Sequence, residues 1–245
     1  MIKFFRRIRQ NLLNKNKVGK YLLYAIGEVL LVVIGILIAL QLNNQNEFRK
    51  QKLVEIKILD GIRSDILKDT IDLNDNIRGY KIFVENDSIM LNHFANKKEQ
   101  TNNIINYLNY SIKFDLLIGL HDAHFQEAKL KGLAIISNDS LKILINRLYE
   151  FHYKVLIAVE NNYENFNTAK LLRHEIGQYF GYDSTGIVMS KDSYNKMLSN
   201  SNSLYHLANG REFKKTLLQI SEQTLESALI VEKYIKNEIA SLKEK

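Results

Sequence analysis

The stretch HDAHFQE sets His121, His124 and Glu127 at intervals of three, which on a helix lines two imidazoles and a carboxylate along one face. These are the residue types that hold zinc, and the spacing offers two or three ligands. The run is not H-E-x-x-H, and the E-x-x-H pairs of di-iron bundles occur nowhere in the chain. Ordinary packing or surface histidines are the expectation, with no metal and no cofactor. His174 and Glu175 are adjacent, so on a helix they point about 100° apart and form no acid–base pair by themselves. Nucleophile elbows, phosphate loops and dinucleotide fingerprints are absent, and no spacing among the 27 acids singles out a facing pair of carboxylates. With no Cys, thiolate chemistry and disulfides are excluded.

One more carboxylate stands out. Glu28 is the only charge between Leu22 and Leu42, a run of 21 residues whose only other polar residue is Gln41. As a helix this run would be about 31 Å long, the thickness of a bilayer's hydrocarbon core. Glu28 lies about 9 Å from its start at helical rise. It shares a helical face with Tyr21, Tyr24, Gly35 and Ala39, the last two a small-xxx-small step that permits close helix contact. Ionisable groups inside a membrane usually face protein or water, so Tyr24, Glu28, Gly35 and Ala39 are expected to form a helix-association face.

The flanks orient the span. Residues 1–20 carry Lys3, Arg6, Arg7, Arg9, Lys15, Lys17 and Lys20 and no acid, while the remainder holds 27 basic and 27 acidic groups. The net charge of +7 therefore belongs to the N-terminal segment, and the balanced remainder does not support nucleic-acid binding. The positive-inside rule places that segment in the cytoplasm and everything after residue 44 outside. A cleaved signal peptide is the competing reading. The run is much longer than the ~7 to 15 residues of a signal h-region and ends without an A-x-A pair, which favours an uncleaved anchor. In MIKFFRRIRQNLL, Ile2, Phe4, Phe5, Ile8, Leu12 and Leu13 fall on one arc, opposite Lys3, Arg6, Arg7 and Arg9. A helix lying among lipid headgroups, with those four cations as its contacts, and a simple topology signal both fit.

The elements beyond the membrane read as helices. Pro is absent throughout, which suits long uninterrupted ones. Leu59, Ile62, Ile66, Leu73, Ile77, Tyr80 and Val84 recur at steps of three, four or seven, predicting one helix over residues 46 to about 95 that Gly61 and Gly79 weaken slightly. Asn96 to Asn103 is a polar break. IINYLNYSIKFDLL is ambiguous between helix and strand, and its neighbours favour helix. A short helix should end at Gly132 in the left-handed conformation, with Leu133 to Ile136 entering the core. Asn138 or Asp139 should cap a long helix burying Leu141, Leu144, Leu148, Phe151, Val155 and Val159. Residues 177–190 read as a loop, and Ser190 as the cap of a short helix over Asp192 to Leu198. The last helix is expected to start near Arg211 and bury Phe213, Leu217, Ile220, Leu225, Ile230 and Tyr234.

The segments MIKFFRRIRQNLL…KYLLYAIGEVLLVVIGILIALQLNNQNE, FQEAKLKGLAIISNDSLKILINRLYEF and, more loosely, LANGREFKKTLLQI resemble a mostly flavobacterial family of single-pass membrane proteins built on a domain of unknown function. Gln45 departs from the pattern, in which a Trp would mark the outer face. The resemblance implies a Gram-negative inner-membrane protein with an N-terminal anchor, and no activity or catalytic residues.

Together these readings predict an all-α chain. Residues 1–20 would be a cytoplasmic basic amphipathic segment, 21–43 a transmembrane helix, and 44–245 a periplasmic antiparallel bundle of long helices. Its expected role is protein interaction, ligand sensing or scaffolding, with membrane lipid and either a second copy or another envelope protein as partners. The alternative is an envelope enzyme whose site is assembled from scattered His and Glu residues, His121, His124 and Glu175 among them.

Overall fold

The computed structural model describes residues 18–113, 116, 118–165 and 168–244. The basic segment with Lys3, Arg6, Arg7 and Arg9 lies outside them, as does the side chain of Tyr24. Among the described residues the chain is all-α apart from one small hairpin, and it divides into two units, Met1–Val54 and Glu55–Lys245.

Helix α1 spans Val18–Ala95. In the first unit none of its apolar run is buried, and it is the one helix among the described residues long and apolar enough to cross a membrane. The most apolar stretch has a mean hydropathy of 2.5, with none of it buried.

In the second unit α1 carries the stripe its spacing predicts. Leu59, Ile62, Ile66, Leu73, Ile77 and Tyr80 are all buried, and near the end Phe83 is buried while Val84 is only half-buried. Helix α2, Asn102–Lys113, follows the polar break and resolves the helix-or-strand ambiguity as helix. Helix α3, Ala123–Leu130, ends before Gly132, whose φ of +83° is the positive value that glycine tolerates. A 3-10 turn over Leu133–Ile135 then delivers Ile136 to the core. Asn138 caps α4, Asp139–Arg147, by accepting from the Leu141 amide at 3.1 Å.

The long helix after this cap departs from the predicted phase. Leu148–His152 form a π turn, in which the Tyr153 amide reaches the Leu148 carbonyl five residues back, and α5, Tyr153–Asn165, continues from it. The wider turn admits an extra residue and rotates everything after it. Phe151, expected in the core, is 54% exposed, while Tyr149, Tyr153 and Leu156 are buried in its place.

Helix α6, Thr168–Gly177, leads into strands β1, Gly181–Asp183, and β2, Gly186–Val188, where a loop is predicted. They pair antiparallel in the register Gly181↔Val188. Asp183 Oδ1 closes the two-residue turn by accepting from the Thr185 amide at 2.7 Å and its hydroxyl at 2.6 Å. Helix α7, Lys191–Ser199, is capped by Ser190 as expected.

Helix α8 spans Ser201–Glu244, starting ten residues before the predicted Arg211. The Ser and Asn run that reads as a loop is a one-residue joint at Asn200, whose Oδ1 accepts from the Asn202 amide. After Ser203 and Leu207, the buried stripe of α8 continues through Gly210, Lys214, Leu217, Ser221, Thr224, Ala228, Val231, Ile235, Ile239 and Leu242. Ile230 and Tyr234, expected inside, are about half-exposed. Small and polar residues occupy the middle of the stripe, so a pattern sought in large apolar side chains locks onto the wrong phase.

Ion pairs Arg63–Glu232, Lys81–Glu222 and Lys214–Asp87 show residue numbers falling along α8 as they rise along α1, so the two helices run antiparallel. One apolar core joins α1 to α3, α4, the π turn and the C-terminal half of α8. A second joins the end of α1 to α2, α6, α7 and the start of α8.

Candidate functional site

Four carboxylates on α1, Glu55, Asp65, Asp69 and Asp87, are buried. Burying a charge without a partner is costly, so each must be met from another element. Glu55 Oε1 accepts from the Ser137 amide at 2.7 Å and its hydroxyl at 2.9 Å. Asp87 meets Lys214, and the middle two meet the histidines singled out by spacing.

Asp65 and Asp69 stand one helical turn apart on α1 and face the N-terminus of α3. Asp69 Oδ1 accepts from the His121 amide at 2.8 Å and from His121 Nδ1 at 2.9 Å. Asp65 Oδ2 accepts from the His124 amide at 3.2 Å and from His124 Nδ1 at 2.8 Å. An ionised carboxylate only accepts, so opposite one each imidazole donates from Nδ1. At His124 the other nitrogen, Nε2, lies toward α1, 2.8 Å from where a Cβ on Gly61 would stand. The residue preceding α3, Asp122, makes no side-chain cap and instead accepts from Gln126. The α3 amide of His124 is capped across the interface by Asp65 of α1, and Asp69 holds the amide of His121 just before the helix, both placed where helix N-termini favour negative charge.

Gly61 completes the His124 half. A Cβ there would lie 2.2 Å from His124 Cδ2, so only glycine lets the ring lie against α1 one turn before Asp65. Gly79 admits Leu116 in the same way, with a would-be contact of 2.4 Å to Cδ1. By helix propensity alone both glycines only weaken α1; in the fold they mark where the segment before and into α3 is pressed onto it.

The π turn supplies the other wall. Phe125 stacks on Tyr149 with ring centroids 4.3 Å apart, and Tyr149 meets Tyr153 edge-on at 5.1 Å. Burial pushes both phenols well above their ordinary range, and the Asp69 charge adds to it. Burial likewise raises the Asp69 carboxyl, against the opposing effect of its bonds from His121. Asp69 Oδ2 and the Tyr153 hydroxyl are both buried with no hydrogen bond of normal length, and they interact electrostatically with each other.

An imidazole held by an aspartate at Nδ1 with a free Nε2 is how a general base is presented, and the packing of His124 Nε2 toward Gly61 departs from it. Here the side chains of His121 and His124 are 43% and 42% exposed. The adjoining cavity, about 260 Å³, is lined by Leu120, Phe125, Tyr149, Tyr153 and Ile157 under a rim of Asp122, Glu150 and Lys154. Its aromatic floor is taken up by ring-to-ring packing, since Phe125, Tyr149 and Tyr153 are each at most 5% exposed.

Of the proposed metal ligands, Glu127 pairs with Lys131 at 2.7 Å. Among the described residues no group of three His, Asp or Glu side chains could hold a metal ion. The Glu175 carbonyl accepts from Gln178 within its own turn, and the structure does not bring Glu175 into the hydrogen bonds of either histidine.

Glu150 illustrates the charge balance at the cavity rim. Hydrogen bonds from Lys129 and Lys154 hold its carboxyl down to about 2, against an ordinary 4.5. The stabilisation is thus present above pH 4.5 and lost as the pH falls through about 2. An NMR titration of the Glu150 carboxyl carbon is expected to show that low midpoint, and Lys129→Ala with Lys154→Ala to return it to the ordinary range.

The Asp87 half of the pattern looks like a nucleophile pair. Lys214 Nζ lies 2.7 Å from Ser111 Oγ, the reach of a Ser–Lys dyad. The same Nζ donates to Asp87 Oδ2 at 2.8 Å, so the amine is engaged in an ion pair as well as with the serine. Both Lys214 and Ser111 are buried, with Phe83 5.2 Å below the ammonium. This arrangement ties α1, α2 and α8 together.

Sequence reasoning found His121 and His124 and missed Asp65, Asp69, Tyr149, Tyr153 and the Asp87–Lys214–Ser111 group. The available signal was an acid at positions 65, 69 and 87, in step with the apolar stripe of α1. No family model, no curated protein and no solved structure matches this chain.

Proposed function

We propose that this chain is an inner-membrane protein with one N-terminal span and an outer antiparallel helical bundle that serves as an interaction or ligand-sensing scaffold. The observation that carries it is the exposed apolar run of α1: burying such a surface is favourable by roughly 25 cal/mol per Å², and none of the described residues covers it. The charge flanks favour an N-terminus in the cytoplasm and the second unit in the periplasm. The resemblance to single-pass membrane proteins points the same way. A scaffold role is supported by how the polar residues are used, since the buried carboxylates of α1 are bonded to other elements of the fold. The two His–Asp pairs favour the enzymatic alternative, but the filled cavity floor beside them weighs against it.

Association would run along the face of α1 that carries Glu28, Gly35 and Ala39, with a second copy or an envelope protein opposite. The test uses the absence of native Cys. The thiol of Asp183→Cys, on the exposed hairpin, should react with an impermeant maleimide once the outer membrane is permeabilised, and the protein should resist alkaline extraction. Crosslinking in the same cells should recover a partner or a second copy, less so with Glu28→Leu. Release by alkali or a thiol protected from the maleimide would reject the placement, and crosslinking indifferent to Glu28 would reject the face.

A further inference from the structure

We propose that Phe48, Arg49 and Lys52, on the turn of α1 just past the apolar run, form a binding surface for anionic lipid headgroups that sets the depth of the helix. This rests on the reading of α1 as a membrane span. Phe48 is 69% exposed although it is a large apolar ring. At helical rise it sits about 9 Å beyond Leu42, and helical side chains lean back toward the N-terminus, so the ring reaches toward the end of the apolar run. That is the headgroup layer, where aromatic residues collect at membrane edges.

The charges beside it are arranged to match. At about 100° per residue, Phe48, Lys52 and Arg49 share one arc of the helix while Lys50 points away. Lys50 is already tied to Glu47 at 3.0 Å. Arg49 and Lys52 have no ion-pair partner among the described residues. Arg49 is exposed and Lys52 half-buried. Flanking the exposed ring, the two present phosphate-binding donors and an apolar foot together, and their long stems can snorkel to the phosphate level. Topology does not account for them, because cations at this end oppose the gradient that the N-terminal segment sets up.

The chain has no Trp, so Phe48→Trp gives a single fluorescent reporter in the full-length protein. Reconstituted into phosphatidylcholine vesicles with and without phosphatidylglycerol, the introduced indole should be quenched by shallow-brominated lipid more than by mid-chain-brominated lipid. Preference for the anionic vesicles should fall about fivefold for each of Arg49→Gln and Lys52→Gln, and little for Lys50→Gln. The dependence should fade with added salt. Vesicle-bound protein whose indole is unquenched, or whose lipid preference ignores Arg49 and Lys52, would overturn the headgroup surface while leaving the anchor. Protein that does not float with vesicles at all would overturn the anchor and the surface with it.

Discussion

Lys214→Met is expected to lower stability by about 3–5 kcal/mol, the cost of leaving a buried charge without its partner. Lys214 gives Asp87 a 2.8 Å ion pair and Ser111 a 2.7 Å hydrogen bond in a place where Asp87 is fully buried. Truncating the cation strands the Asp87 carboxylate, one of whose oxygens already lacks a hydrogen-bond partner. A loss of that size is comparable with the whole stability of many domains, about 5–15 kcal/mol. Far-UV circular dichroism against urea, with the protein in detergent, measures it. Adding Asp87→Leu removes the stranded charge, and the double variant should recover most of the loss. A single variant within experimental error of the parent would show that water reaches this site and that the network does not organise the three helices.

Gly61→Ala is expected to change sign with its surroundings. On an isolated helix alanine is better than glycine by about 1 kcal/mol. Here the new methyl would meet the His124 ring at 2.2 Å, and the ring can leave only by breaking its bond to Asp65. A lost hydrogen bond to a buried carboxylate is worth about 1.5–3 kcal/mol, so the net effect should be destabilising by about 0.5–2 kcal/mol. In a His124→Ala background nothing stands in the way, and the same substitution should stabilise by about 1 kcal/mol. Urea midpoints of the four proteins in this cycle give the coupling. Equal effects of Gly61→Ala in both backgrounds would mean that the ring does not depend on the glycine.

These two sites show where sequence reasoning stops. His121 and His124 are visible because their types and spacing suggest chemistry, yet their partners Asp69 and Asp65 lie 52 and 59 residues away, on a helix read only for its apolar stripe. Lys214 and Asp87 are 127 residues apart and look like any two surface charges. Gly61 reads as a flaw in α1 until the ring that fills its place is known. The π turn is the most consequential omission: a period of 3.6 carried through Leu148–His152 buries Phe151, whereas the wider turn buries Tyr149 and Tyr153 and builds the wall beside Asp69.

The class of structure was legible in the chain alone: a long apolar run with a basic flank, helices set by apolar residues at steps of three and four, and caps at Asn138 and Ser190. These are local properties, because hydropathy, helical period and capping act within a few turns of chain. Which polar residues go inside, the phase of α8 and the rotation of α5 were settled by tertiary packing. A buried carboxylate is tolerated only where another element brings a donor, and a stripe of Ser, Thr and Ala is a core face only where a neighbouring helix packs against it. Both conditions are met across the fold, between residues that the chain itself keeps far apart.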